Sequence, residues 1–262
     1  MYASIYEAIE ADSIEGVKKC LGGDIDFIED GGWNPLHAAC KKGNIDIVTA
    51  ILDFLKSSVD AGFTINSEFE IIDADLDYRG TALSEALIND HTEVAKLLVE
   101  NGADSSASFF QQSQDSPEWF FGDYDSATDY GLCFWLADQD LLSTMIDHGL
   151  DIDACDDNGK SALSHAVQVV DQDRVAMLLD FGANPNQVIN HDEMGTISLL
   201  IQAVVGENTP IVEMLLKYSA SLNYCCDDCD GETVIDIILE KKNPELDEIF
   251  GMQNVRNKME MN

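Results

Sequence analysis

A helix begins in the stretch Asn34-Pro35-Leu36-His37-Ala38-Ala39. Asparagine is a strong helix N-cap, and proline is tolerated at the first helical position because its missing N–H costs little there. Five residues after the cap comes a small residue that is predicted to be buried near the middle of the helix. The same arrangement returns along the chain, which predicts a repeated helical unit.

Six residues that favour helix N-caps stand at the same place in successive units. They are Asn34, Thr81, Thr128, Ser161, Ser198 and Thr233. The residue two positions after each cap is apolar and is predicted to face the neighbouring unit. These residues are Leu36, Leu83, Tyr130, Leu163, Leu200 and Ile235.

A second helix follows each first helix after a polar break. In four units a Gly or Ser stop lies sixteen residues after the buried small residue, in the pairs Ala86 and Gly102, Cys133 and Gly149, Ala166 and Gly182, and Ala203 and Ser219. One apolar position of the second helix is predicted to be buried in every unit. It is occupied by Ile51, Leu98, Met145, Leu178, Leu215 and Phe250. This regularity predicts helix pairs that stack on one another.

The repeated stretches resemble the ankyrin repeat family. Residues 34–39 are similar to its Thr-Pro-Leu-His-x-Ala signature, and residues 101–104 and 181–186 are similar to its Gly-Ala-Asp-x-Asn finger. The resemblance covers Tyr2 to Met252. It implies an all-α ankyrin-repeat solenoid of stacked helix-turn-helix units with short hairpin fingers and no extended sheet.

A single domain is expected over residues 1–252, followed by a polar tail at 253–262. Its units are an N-terminal cap at 1–28, repeats that start at 29, 76, 123, 156 and 193, and a C-terminal cap at 228–252. The repeats from 29 and 76 are roughly fourteen residues longer than the family's repeat of about 33. This difference predicts insertions around Ser57–Ala74 and Ser105–Gly122.

The charge of the chain is extreme, since 14 Lys plus Arg stand against 50 Asp plus Glu and give a net charge of −36. Such a chain repels phosphates and anionic lipids and attracts basic proteins, so we expect no direct nucleic-acid binding and no membrane binding. No stretch of 18 apolar residues and no secretory signal are visible, and the seven cysteines are an odd number. These features favour a reducing cytoplasm.

Few residues suggest chemistry. Cys225, Cys226 and Cys229 include a Cys-x-x-Cys pair, which is half of a zinc site, but the other half is missing and a plain thiol cluster is favoured. The five histidines are scattered, and no nucleophile stands in a catalytic context. By resemblance to the family, His37 orders the turn between repeats. We therefore expect no enzyme, no cofactor and no bound metal.

The family resemblance also implies that fingers and first helices bind partners on the concave side. The predicted partner-binding residues are Asp30, Trp33, Asp77, Tyr78, Trp119, Tyr124, Asp125, Trp135 and Asp157. Aromatic rings among carboxylates suit the Arg and Lys side chains of a partner. Trp119 stands with two phenylalanines inside an insertion, where the three rings either seal the insertion onto the solenoid or meet a partner.

The leading hypothesis is a cytoplasmic protein-binding module that sequesters or inhibits a basic protein, as an immunity protein, an antitoxin or an effector would. One alternative is an acidic mimic of nucleic acid that blocks a DNA- or RNA-binding protein. Another is a structural adaptor whose acidity only keeps it soluble. The sequence leaves the oligomeric state open.

Overall fold

The computed structural model describes residues 2–23, 28–58, 61–73, 76–105, 108–113, 130–131, 138–155, 159–191, 195–223 and 233–251. Contacts between residues group the chain into two compact units, each of which contains several of the repeated helix pairs. The first unit is Met1–Asp151 and the second is Ile152–Asn262. A single domain over residues 1–252 stays a prediction.

The first unit is built from helix pairs in two rows. Its helices are α1 (Ile5–Glu10), α2 (Ile14–Leu21), α3 (Pro35–Lys42), α4 (Ile45–Ser57), α5 (Ala82–Ile88), α6 (Thr92–Glu100) and α7 (Gln139–Asp147). The first helices α1, α3 and α5 pack side by side, and α2, α4, α6 and α7 form the second row. The predicted core residues Leu36, Ile51, Leu83 and Leu98 are buried between the rows.

The second unit repeats this arrangement. Its helices are α8 (Ala162–Gln168), α9 (Gln172–Asp180), α10 (Leu199–Val205), α11 (Thr209–Lys217), α12 (Val234–Lys241) and α13 (Pro244–Ile249). Helices α8, α10 and α12 pack in one row, and α9, α11 and α13 in the other. Leu178 and Leu215 are fully buried as predicted. Ile235 and Phe250 remain half-exposed in the last helix pair.

The predicted N-caps are confirmed wherever the structure describes them. The side chains of five predicted caps accept a backbone N–H from the first turn of their helix, namely Asn34, Thr81, Ser161, Ser198 and Thr233. Thr128 lies outside the described residues. The helical position predicted for Tyr130 is wrong, because Tyr130 lies in a strand and pairs with Phe109.

Left-handed backbone recurs at the turn before the second helices and at the end of α6, α7, α9 and α11. The predicted stop residues Gly102, Gly149, Gly182 and Ser219 have φ between 68° and 101°. Wherever the turn between the two helices of a pair is described, the residue just before the N-cap of the second helix also has positive φ. These residues are Asp12, Gly43, Asp90, Val170, Glu207 and Lys242. Val170 differs from the other residues of this set because its side chain is β-branched, and such side chains are strained at positive φ.

Short strands form the fingers, and in the first unit they join into one sheet. Strands β1 (Glu68–Asp73), β2 (Leu76–Thr81), β3 (Ser108–Ser113) and β4 (Tyr130–Gly131) are antiparallel neighbours in that order. In the second unit β5 (Val188–His191) pairs with β6 (Gly195–Ser198).

The four-stranded sheet differs from the expectation of short hairpin fingers and no extended sheet. Strand β3 lies inside the predicted insertion Ser105–Gly122, and it pairs with β2 from Leu76 opposite Ser113 to Arg79 opposite Phe110. Part of the extra length therefore extends the fingers instead of forming a loop beside the repeats. The other insertion begins with the last residue of α4, which has 13 residues where α2 has 8.

Amide and carboxylate side chains tie each loop to the next. Asn66 Oδ1 accepts the backbone N–H of Asp104 at 2.8 Å in the first unit. In the second unit Asp153 Oδ1 accepts from Asn184 at 2.9 Å and Asn186 Oδ1 accepts from Ser221 at 2.7 Å. These bonds fix the spacing of successive fingers, because each satisfies a backbone N–H that has no acceptor within a helix.

Candidate protein-binding groove

A groove of about 700 Å³ opens on the row of first helices in the first unit. Helices α1 and α3, the C-cap of α5 and the finger at residues 29–33 surround it. Its lining residues are Tyr6, Glu10, Glu29, Trp33, Ala38, Lys41, Lys42 and Asn89. The groove therefore spans three consecutive helix pairs, which is the setting in which an extended partner segment could contact several repeats at once.

The finger at residues 29–33 is held by its own backbone and by β1. The N–H of Glu29 donates to the carbonyl of Trp33 at 2.8 Å, and Gly31 and Gly32 have φ of 75° and 83°. A Cβ at Gly32 would lie 2.8 Å from the carbonyl oxygen of Glu68, and one at Gly31 would overlap the carbonyl oxygen of Glu70. Only glycines allow this approach of two backbones, which fixes where Trp33 stands.

Trp33 is half-buried, and its ring packs against the protein on one side. It meets Phe69 edge-on with 4.7 Å between ring centroids, and His37 at 5.4 Å. Tyr6 Oη donates to the Trp33 carbonyl at 3.2 Å. The ring is thus rigidly held while part of it faces the groove, a combination that is common in binding hot spots.

His37 packs against the rings of Trp33 and Phe69 and is itself held by two hydrogen bonds. Its Nδ1 accepts the N–H of Asn34 at 3.2 Å, and its Nε2 lies 2.8 Å from the carbonyl oxygen of Ser67. The ring is therefore neutral, with Nε2–H donating to Ser67. Burial lowers the pKa of His37 from 6.5 to about 4, although the bond to Ser67 acts in the opposite direction. His37 orders the turn between two repeats, as its motif suggested.

The charged residues of the groove differ from the expected acidic surface. Lys42 Nζ lies 3.4 Å from Glu10 Oε2 and 3.3 Å from the Glu10 carbonyl oxygen. Lys41 Nζ lies 5.7 Å from the centroid of the Trp33 ring. The cation that contacts Trp33 in this structure is thus a lysine of the same chain.

Residues 5–108 match the family model of ankyrin repeats, in three copies. Residues 5–108 of this chain are thus ankyrin repeats, and the chain has the ankyrin-repeat fold. A search of curated protein sequences finds no match.

Solved structures of ankyrin-repeat proteins have the same fold. The ankyrin repeat domain of Bcl-3, a member of the IkappaB protein family, has a TM-score of 0.64 at 19% identity and covers 95% of this chain and 98% of its own. The ankyrin repeat domain of human ASB11 has a TM-score of 0.57 at 16% identity, covering 93% and 99%.

A third similar chain comes from a complex. It belongs to the structure of the predatory endopeptidase Bd0816 from Bdellovibrio bacteriovorus with the immunity protein Bd3460. The TM-score is 0.57 at 20% identity, and the match covers 82% of this chain and 98% of that chain.

The structure describes only some of the predicted site residues. Trp33 lines the groove, and Asp30 lies in the neighbouring one-turn 3-10 helix at Asp30–Gly32. Asp77 and Tyr78 lie in β2, opposite Gln112 and Gln111 of β3. The remaining predicted residues lie outside the described part of the chain: Trp119, Tyr124, Asp125, Trp135 and Asp157.

Sequence reasoning missed Ala38, Lys41 and Lys42 of the groove. Their spacing from the predicted N-caps could have indicated them. They stand four, seven and eight residues after the N-cap Asn34, and Asn89 stands eight residues after the cap Thr81.

Metal and membrane features give no further site. Within the described ranges no group of three or more His, Cys, Asp or Glu side chains is placed to hold a metal ion, and Cys225, Cys226 and Cys229 lie outside those ranges. Nor does any helix described here have the length and apolar character needed to cross a bilayer.

Proposed function

We propose that this chain binds another protein, without catalysis and without a cofactor, through the groove of its first unit. The carrying observation is the groove itself, in which a rigidly held and half-exposed Trp33 stands among residues of three consecutive helix pairs. Aromatic anchors in such settings supply about 2 kcal/mol or more to binding.

The partner we propose is a basic protein, which this chain sequesters or inhibits. The net charge of −36 supports this, because complementary charge speeds encounter and disfavours acidic competitors. The likeness to a chain from an endopeptidase–immunity protein complex makes an immunity protein the first example to test, and a host-directed effector the second.

The surface would extend beyond the groove. We propose that Asp30, Asp77 and Tyr78 in the described part of the fingers contribute to it, together with the predicted residues Trp119, Tyr124, Asp125, Trp135 and Asp157. Two free thiols in the described part of the chain, Cys20 and Cys40, support a reducing cytoplasm as the place where this binding occurs.

Affinity capture tests the proposal. The immobilised protein is exposed to a cell extract and eluted with rising salt, and the captured proteins are identified and purified. We expect a basic protein whose binding weakens steeply with salt, and whose own activity falls when the complex forms. Captured proteins that show no excess of basic ones would contradict the proposed partner and favour a structural adaptor.

The same capture separates the mimic of nucleic acid from the sequestering protein. A mimic occupies the cleft in which its partner binds DNA or RNA, so added duplex DNA or RNA would displace it. A sequestered partner that is not a nucleic-acid-binding protein keeps its complex when either nucleic acid is added.

A further inference from the structure

Lys41 is an unusual residue for this chain. The protein has 14 Lys plus Arg against 50 Asp plus Glu, so a lysine has many carboxylates to pair with. Its neighbour Lys42 does so with Glu10. Among the described residues, however, no carboxylate lies within 4.0 Å of the Lys41 ammonium, which lies instead over the Trp33 ring.

The surroundings of Lys41 explain why its charge remains available. Its ammonium lies 5.7 Å from the centroid of the Trp33 ring, which attracts the charge without neutralising it. The side chain is exposed and lines the groove together with Tyr6 and Ala38, which bring ring and methyl surface. Glu29 is exposed at the finger, and Glu10 is engaged by Lys42. The groove thus carries a localised positive site next to apolar surface.

We infer that the groove binds a partner segment through an acidic group, with Lys41 pairing a carboxylate of that segment while Trp33 packs against an adjacent apolar side chain. This inference rests on the proposed function and names what its groove recognises. The occupant is an extended peptide segment with an Asp or Glu side chain, or a chain-terminal carboxylate, next to an aromatic or aliphatic residue.

An acidic segment is compatible with a partner that is basic as a whole. The summed charge of this chain acts over distance and steers a basic protein toward it, whereas at physiological salt that field is screened beyond about 8 Å. Contact with Lys41 acts within the groove. One carboxylate in an otherwise basic partner would therefore fix the register of the complex, because other carboxylates on this chain would repel it elsewhere.

The experiment selects binders from a library of random peptides displayed on phage. Selection in about 0.5 M salt suppresses attraction of cationic peptides to the acidic surface, because the screening length falls below the range of that attraction. Parallel selection against an Ala38→Arg variant identifies the peptides that need the groove. Synthetic copies of those peptides are then titrated against the variants Lys41→Met, Lys41→Arg and Lys56→Met.

These variants isolate the charge of Lys41. Methionine keeps an apolar side chain of similar length and removes the ammonium, whereas arginine keeps the charge. Lys56 is an exposed lysine at the end of α4 and is not among the groove residues, so Lys56→Met makes the same charge change in the same unit.

The inference expects that groove-dependent peptides carry a carboxylate beside an apolar residue. They should bind Lys41→Met about tenfold more weakly, and Lys41→Arg and Lys56→Met within about twofold of the unchanged protein. Groove-dependent peptides without a carboxylate, or with equal affinity for Lys41→Met, would overturn the inference and leave the proposed function standing. A selection in which no peptide depends on Ala38 would overturn both.

Discussion

The two units of the molecule place different side chains on the same backbone positions. In the first unit, the residue before the N-cap of α3 is Trp33, and the residue seven positions after the cap is Lys41, whose ammonium lies over the ring. In the second unit the corresponding residues of α8 are Lys160 and Gln168, which form a hydrogen bond of 3.1 Å. A contact between the same two positions is thus made by aromatic and cation in one unit and by cation and amide in the other.

A second difference concerns the residue three positions after the cap. His37 bridges to the next loop through Ser67, whereas Ser164 of the second unit returns its hydroxyl to the carbonyl of its own cap, Ser161, at 2.8 Å. The repeats therefore share their caps and core and differ in the exposed and bridging residues. The shared positions make the fold, and the differing ones give the first unit its groove.

The largest expected effect distinguishes two glycines that share a left-handed backbone. Gly31→Ala should lower the free energy of unfolding by about 3 kcal/mol or more, because the new methyl would overlap the carbonyl oxygen of Glu70 in addition to the strained φ. Gly182→Ala in the second unit meets no atom within 4 Å and should cost only about 1 kcal/mol. Urea titrations of both variants measure this, and equal losses would contradict the close approach of finger and β1.

His37→Ser tests the bridge between repeats with a residue that the chain itself uses at this position. Serine can still accept the N–H of the cap, as Ser84 does from Thr81 at 2.8 Å, but the bond to Ser67 and the ring packing are lost. We expect a loss of about 3 kcal/mol at pH 7.

The pH dependence of that loss follows from the sign of the pKa shift. The folded protein lowers the pKa of His37 from 6.5 to about 4, so the unfolded chain binds more protons between these values. The stability contributed by the neutral ring is fully present above pH 6.5 and falls as the pH drops through 6.5 toward 4, by about 3 kcal/mol in total. The difference between wild type and His37→Ser should therefore shrink to near zero at pH 4. A difference that stays constant from pH 7 to 4 would contradict a buried neutral ring.

Val170→Asn should stabilise the second unit by about 1 kcal/mol, because asparagine tolerates the positive φ of 62° better than valine does. Val170 is 42% exposed, so little burial is lost. Val169→Asn is the matched control, since Val169 is similarly exposed and has a φ of −89°. Melting temperatures compare the two, and an equal change in both would show that the backbone conformation is not the cause.

The smallest expected effect compares two lysines at the eighth position after the cap. Lys241 Nζ donates to the carbonyl of Val205 at 2.8 Å, and Lys42 Nζ donates to that of Glu10 at 3.3 Å. Lys241→Met should cost about 1 kcal/mol and Lys42→Met less, because the second bond is longer and the paired carboxylate more exposed. Thermal unfolding of the two variants gives the order, and a larger loss for Lys42→Met would reverse this interpretation.

The features that recur were predictable, and those that occur once were not. Asn34, Thr81, Ser161 and Ser198 are caps in a common register, so each supports the others and the helices follow. The pairing of β3 with β2 was missed because the two strands belong to different repeats. No local sequence pattern in Ser108–Ser113 indicates which strand is its partner. Lys41 was missed because its role depends on Trp33, which lies on another element and is brought near by two glycines.

The most direct test of the central claim measures where the captured partner binds. Ala38→Arg places a long side chain in the groove, and Thr49→Arg adds the same charge at an exposed position of α4 outside the groove. Isothermal titration with the purified partner should show at least tenfold weaker binding for Ala38→Arg and no more than about twofold change for Thr49→Arg. Equal affinities for the two variants would contradict binding through the groove of the first unit.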